Sequence, residues 1–175
     1  MTPLLALNDA LGRQLARLDP LLPLLARGVF AAVLALYFLA SGLTKIDGFG
    51  LSTGAYAQIF PRAFEAVGYD ASQLGTYHWL VVAGGTVAEF VLPVLIILGL
   101  FTRLAALGMI GFIVVQSLTD VVGHGAQAAT LGRWFDRVAD AAILDQRALW
   151  VMLLVVLVAK GGGALALDRA ITPRR

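Results

Sequence analysis

The chain has 175 residues, 59% of them hydrophobic and only 14% charged, with a mean hydropathy of +0.85. Soluble domains carry about 25% charge, and one of this size has too small an interior to hide so much apolar side chain, so the composition excludes a soluble globular protein. The absence of cysteine excludes disulfide exchange, iron–sulfur ligation and thiolate metal sites, and a formal charge of +2 without a basic run argues against a nucleic-acid partner.

Near the start, Leu4, Leu7, Leu11, Leu15 and Leu18 recur at spacings of three and four, with Arg13 and Arg17 off that stripe. The pattern predicts a short amphipathic helix over about residues 4–18, lying in the headgroup layer. A signal peptide competes with this reading, but the apolar segment that follows begins too late and runs too long for one. A first membrane span is predicted over about 24–43, with Arg27 near its start and Lys45 and Asp47 closing it. In the polar segment 48–78, Tyr56, Ile59, Phe60 and Phe64 fit one face of an interfacial helix that Pro61 interrupts.

Residues 79–100 are almost unbroken hydrocarbon with one carboxylate, Glu89, in the middle. Their length matches the ~20 residues that cross a bilayer, so this is the second span. Phe101, Thr102 and Arg103 form a tight link into a third span over about 104–122, with Asp120 near its far end. Leu131, Trp134, Phe135, Val138 and Ala142 then fall at helical spacing and predict another surface-lying helix. A fourth span over about 148–167 carries Lys160 and thins into Gly161, Gly162 and Gly163. The expected class is all-α: an integral membrane four-helix bundle with short amphipathic interfacial helices, one domain over 1–175.

Four spans put both termini on one side. That side holds Arg13, Arg17, Arg27, Arg103, Arg169, Arg174 and Arg175, against Lys45, Arg62, Arg133, Arg137 and Arg147 in the long loops. The excess of basic residues places both termini in the cytoplasm.

A carboxylate at mid-membrane costs roughly 3 kcal/mol unless it is paired or protonated. Helical rise puts Glu89 roughly 15 Å below Trp79 and Lys160 roughly 18 Å below Ala148, which predicts a Glu89–Lys160 pair at one level. Arg27, roughly 24 Å down, can reach up to Glu89 or snorkel to the headgroups. Thr86, Glu89 and Pro93 share a helical face. The candidate ligand-binding set is Glu89, Lys160, Arg27, Thr86 and Tyr37. The competing readings are an ion pair that only fixes helix register, and a snorkelling Lys160 beside a protonated Glu89.

A second polar set, Tyr37, Ser41, Gln116, Ser117, Asp120, His78 and His124, falls in the outer third. Two histidines near an aspartate suit a metal, but interfacial histidines in water are the simpler reading, and no metal is expected. Gly108-x-x-Gly111 and the three closing glycines predict close packing of the third and fourth spans.

Four spans, the Gly42-Leu43-Thr44-Lys45 exit, the mid-span Glu89, the Gly99-Leu100-Phe101-Thr102-Arg103 turn and the closing glycines up to Asp168 together resemble the DoxX family of small bacterial membrane proteins. The resemblance implies a four-helix inner-membrane protein related to the quinone-linked membrane subunit of a thiosulfate oxidoreductase. Some members are described as partners in oxidative-stress complexes. It carries over Arg27, Lys45, Glu89, Arg103 and Asp168, with no catalytic residue and no covalent cofactor.

The leading expectation is therefore a redox-associated membrane subunit, whether or not itself an enzyme, holding a quinone headgroup near Glu89 with Lys160 or Arg27 compensating charge. Its implied partners are the lipid bilayer, a quinone, a soluble or membrane redox protein, and a second copy of the chain. A small-molecule or lipid carrier and a scaffold recruiting soluble enzymes are the alternatives.

Overall fold

Backbone in hydrocarbon must satisfy its own hydrogen bonds, and long helices are one of the few ways to do so. The computed structural model describes residues 2–171. Helix α1, Pro3–Leu43, runs 41 residues. A 3-10 segment, Ala16–Leu21, surrounds Pro20, and a π segment occupies Phe30–Ala35. The amphipathic stretch expected at 4–18 is α-helical over Pro3–Leu15 and runs on through the 3-10 segment into the rest of α1. Nothing in Pro3–Leu15 is buried, so its leucines are left uncovered by the rest of the chain.

A hairpin follows, with β1 (Ile46–Asp47) antiparallel to β2 (Gly50–Leu51). Two short helices, α2 (Thr53–Ile59) and α3 (Pro61–Ala66), come next. Ser52 caps α2 by accepting the Ala55 N–H, and Pro61 opens α3 at a position where its missing N–H costs nothing. Tyr56 and Phe64 pack with Ala55 and Val82, fastening this cap to the first half of helix α4 (Thr76–Leu98).

Helix α5 (Thr102–Gly123) ends in a second π segment, Thr119–Gly123. The surface helix predicted from Leu131 to Ala142 does not form. Only α6 (Ala128–Leu131) is helical there. Gly132 ends it at φ +77, and the Asp136 carboxylate accepts the Val138 N–H in a local turn that competes with helix. Helical spacing alone did not outweigh those two signals.

Helix α7 (Leu144–Lys160) starts before the predicted fourth span and stops well short of its end, because Gly161 and Gly163 take left-handed φ values of +77 and +78. A short α8 (Leu167–Ile171) closes the described chain. Three helices, α1, α4 and α5, are long and apolar enough to cross a membrane. Helix α7 has 17 residues and packs against α5 and the middle of α1, Leu22–Val29.

These helices close around one core of Phe30, Leu34 and Phe38 from α1, Ile96 from α4, Met109 from α5 and Leu154 from α7. The Phe38 ring packs edge-on against Phe112 at 5.9 Å and Trp150 at 6.2 Å, locking α1 between α5 and α7.

Candidate ligand-binding site

Gly42 sits in the last turn of α1, and a Cβ there would come within 2.8 Å of the Phe90 ring and 3.3 Å of the Glu89 Cβ. A glycine therefore lets α1 and α4 meet at this level. Helix α4 overhangs α1, so Glu89, mid-way along its own span, lies level with the end of its neighbour.

The partner of Glu89 is Lys45, one turn beyond Ser41. Lys45 Nζ lies 2.9 Å from each carboxylate oxygen, with side-chain exposures of 6% and 4%. Hydrogen-bond geometry is met only at Oε1, which also accepts from the Ser41 hydroxyl at 2.9 Å. Oε2 stays in charge contact with Nζ but has no hydrogen-bond partner among the described residues.

The predicted Glu89–Lys160 pair is corrected by this geometry. Lys160 lies in the final turn of α7, about 24 Å along that helix from Leu144. There its ammonium meets Asp19 at 2.7 Å, both half-exposed. Arg27 is not near Glu89 either. It is buried, donating from Nε to the Ile96 carbonyl at 3.1 Å, from Nη1 to Gly162 at 2.9 Å and from Nη2 to Ile97 at 2.5 Å. Thr86 is buried too, but its hydroxyl donates to the Val82 carbonyl of its own helix at 2.8 Å.

Of the five candidates, Glu89 and Tyr37 line a common cavity of about 530 Å³, together with Ser41, Lys45, Gln116 and Asp120. The lining also includes Gly84, Gly85 and Ala88 from α4 and Gly108 and Gly111 from α5. Gly108 meets Leu92 of α4, and a Cβ at Gly111 would touch nothing within 4 Å. Of the glycines expected to draw the third and fourth spans together, Gly162 lies against Thr102 at the start of α5, Gly108 admits Leu92 of α4, and Gly111 borders the open cavity. The second π segment contributes Thr119 and Asp120 to this cavity, and the first ends two residues before Tyr37. Such bulges are rare and re-aim the side chains around them.

Glu89 from the first polar set thus joins Tyr37, Ser41, Gln116, Asp120 and His124 from the second. Gln116 Nε2 donates to the Tyr37 hydroxyl at 2.8 Å. Asp120 is held from behind by Arg147, whose Nη2 donates to it at 2.5 Å and whose Nη1 donates to Ser117 at 2.8 Å. At the rim, His124 Nε2 donates to the Gln58 carbonyl at 2.9 Å. His78 lies elsewhere, edge-on to Phe60 at 4.8 Å.

The opposite end of the helices, where α4 turns into α5, is closed by charge. Arg27 satisfies the last carbonyls of α4, and Arg103 does the same for α7 by donating to Val158 and Ala159. Phe101 takes φ +47 at the turn, held by the Asp168 carboxylate, which accepts the Phe101 N–H at 2.6 Å and the Thr102 N–H at 2.9 Å.

The DoxX family model matches residues 23–125, more than half the chain. The chain belongs to the DoxX family. With three apolar spans besides, it is a multi-pass membrane protein. No curated protein and no solved structure matches it. The five positions that the resemblance carried over fall into two groups in this DoxX protein: Lys45 and Glu89 at the cavity, and Arg27, Arg103 and Asp168 at the clamp below it.

The clamp should respond to acid. Burial alone would raise the Asp168 carboxyl, but hydrogen bonds from Thr102 and Phe101 and the Arg27 charge hold it below the usual carboxylate range. A depressed folded value means stability present above about pH 4 and lost as pH falls through the folded value. Thermal unfolding of the detergent-solubilised protein should therefore shift down by a few degrees on acidification in that window. The shift should be smaller in Asp168→Asn; an equal slope in the variant would remove Asp168 as its source.

Proposed function

We propose that this DoxX protein is a membrane subunit or partner of a quinone-linked redox complex in the bacterial inner membrane. Both termini would be cytoplasmic, α7 would serve as a fourth crossing, and the Glu89 cavity would receive the quinone headgroup. One observation carries the reading: a buried Glu89–Lys45 pair lines a cavity between two membrane helices, whose lining also includes glycines from both and an alanine. A volume of about 530 Å³ lies in the ordinary range for small-molecule sites.

Ser41, Lys45, Glu89, Gln116 and Asp120 all contribute to the lining, so the wall fits a polar head. The chain has no cysteine, hence no thiol or cluster to carry electrons, and these would come from a partner protein. The alternative of a carrier is disfavoured, since the Arg27 and Asp168 clamp ties the far end of the helices together.

Mass spectrometry of the complex extracted in mild detergent tests this directly, because it reports bound lipids, quinones and proteins at once. Wild type should retain a quinone, and Gly111→Leu should lose it while keeping its helicity, since the new side chain projects where a Cβ meets nothing. Wild type carrying no quinone, together with an unchanged quinone reduction rate of its partner when Glu89→Gln is introduced, would sink the reading.

A further inference from the structure

A second cavity lies at the clamp end of the helices, away from Glu89. It has a volume of about 400 Å³, and its lining includes Asp19, Pro20 and Pro23 of α1 with Lys160, Gly163 and Arg169 from the last turn of α7 onward. Gly161 and Gly163, at φ +77 and +78, turn the chain off α7 directly after Lys160. A Cβ at Gly163 would come within 3.1 Å of the Pro23 side chain, so a glycine lets this turn close onto α1. Further along, the Asp168 N–H donates to the Gly99 carbonyl at 2.9 Å. The cavity therefore sits beside the turn from α4 to α5, where two apolar membrane helices end and headgroups begin.

The cations at this cavity are not saturated. The Lys160 ammonium uses one of its three protons, on Asp19 at 2.7 Å, and both side chains are about half-exposed. Arg169 is exposed, and its guanidinium pairs with no carboxylate among the described residues. The adjacent Asp168 carboxylate is engaged elsewhere, accepting from Phe101 and Thr102. Two cations against one carboxylate leave the lining with a net charge of +1. Along α1, Leu15, Leu18, Leu21 and Leu22 flank Asp19 and Pro20, and Leu165 and Leu167 follow Gly163; all six are exposed. A cationic cleft bordered by uncovered leucines suits a molecule that carries an anion and hydrocarbon together.

We propose that this cavity holds the phosphate of an anionic phospholipid. Lys160 and Arg169 donate to the phosphate oxygens, and the exposed leucines receive the acyl chains. Asp19 keeps Lys160 in place and limits the lining charge to +1, so a singly charged phosphodiester neutralises the site. A zwitterionic headgroup carries no net charge and leaves it uncompensated. A free phosphate ion would meet the same donors but gain nothing from the leucines. This site stands independently of the Glu89 cavity and of any quinone.

The test uses the full chain, stripped of lipid in mild detergent and titrated with phosphatidylglycerol or phosphatidylcholine of the same acyl chains. Native mass spectrometry counts the lipids retained. A base near an anionic lipid contributes roughly fivefold in affinity, so two of them, partly offset by Asp19, predict about a tenfold preference for phosphatidylglycerol. In Lys160→Met/Arg169→Met the preference should fall below about threefold. Arg133→Met/Arg137→Met removes the same charge from the loop between α6 and α7 and should leave the preference intact. Asp19→Asn raises the lining charge to +2 and should strengthen it, which carries the test if the first double variant fails to fold. Equal retention of the two lipids by wild type, an equal loss in both double variants, or no gain in Asp19→Asn would overturn the inference. Displacement of phosphatidylglycerol by equimolar inorganic phosphate would also overturn it, by showing that the cavity takes a free anion.

Discussion

Glu89→Ala should destabilise the protein by about 3–5 kcal/mol, because it leaves the buried Lys45 ammonium without a counter-charge. Lys45→Met should cost a similar amount, since the carboxylate would keep only the Ser41 hydroxyl as donor. The double variant Lys45→Met/Glu89→Leu should return to within about 1 kcal/mol of wild type, as apolar pairs commonly replace buried ion pairs without loss. Equilibrium unfolding in mixed micelles gives the double-mutant cycle, and additive losses would mean that the two side chains do not interact. The same cycle separates register from function. If the double variant folds but no longer binds ligand, the pair is kept for chemistry, and a structural role cannot account for it.

The sequence made parts of this arrangement legible and hid others for physical reasons. The long apolar helices at the second and third spans, the burial of Glu89 and the interruption at Pro61 follow from hydrocarbon thickness and backbone rules, whereas the fourth helix ends short of its expected length. The partner of Glu89 did not follow, because depth counting assumes that all helices enter the membrane at one level. Helix α4 overhangs α1, and Gly161 ends α7 at Lys160, so the assumed levels were wrong for both residues. A signal for Lys45 was present in its spacing of four from Ser41 and in the small Gly42 between them. The glycines at 84, 85, 108 and 111 show the converse limit, since a residue without a side chain permits close packing or a gap, and only the fold decides which. The hairpin at 46–51 offered too short a pattern to read.

The second large effect should come from Arg27. Arg27→Met removes three hydrogen bonds from a guanidinium to the carbonyls of Ile96, Ile97 and Gly162 and leaves those acceptors without their donor, so a loss of more than about 3 kcal/mol is expected. Arg27→Lys should recover only a minor part, because a single ammonium cannot reproduce the planar fork that bridges the end of α4 and the glycine turn. Lys160→Met should change stability by less than about 1 kcal/mol, since its contact with Asp19 is half-exposed and screened by solvent. Unfolding of the three variants in the same micelles ranks them. A Lys160 effect equal to that of Arg27 would mean that the lysine, rather than the arginine, is the buried charge at this end of the helices. With the expected ranking, ligand binding at the Glu89 cavity should survive Arg27→Lys, because the clamp and the cavity lie about 20 Å apart along α1 and share no side chain.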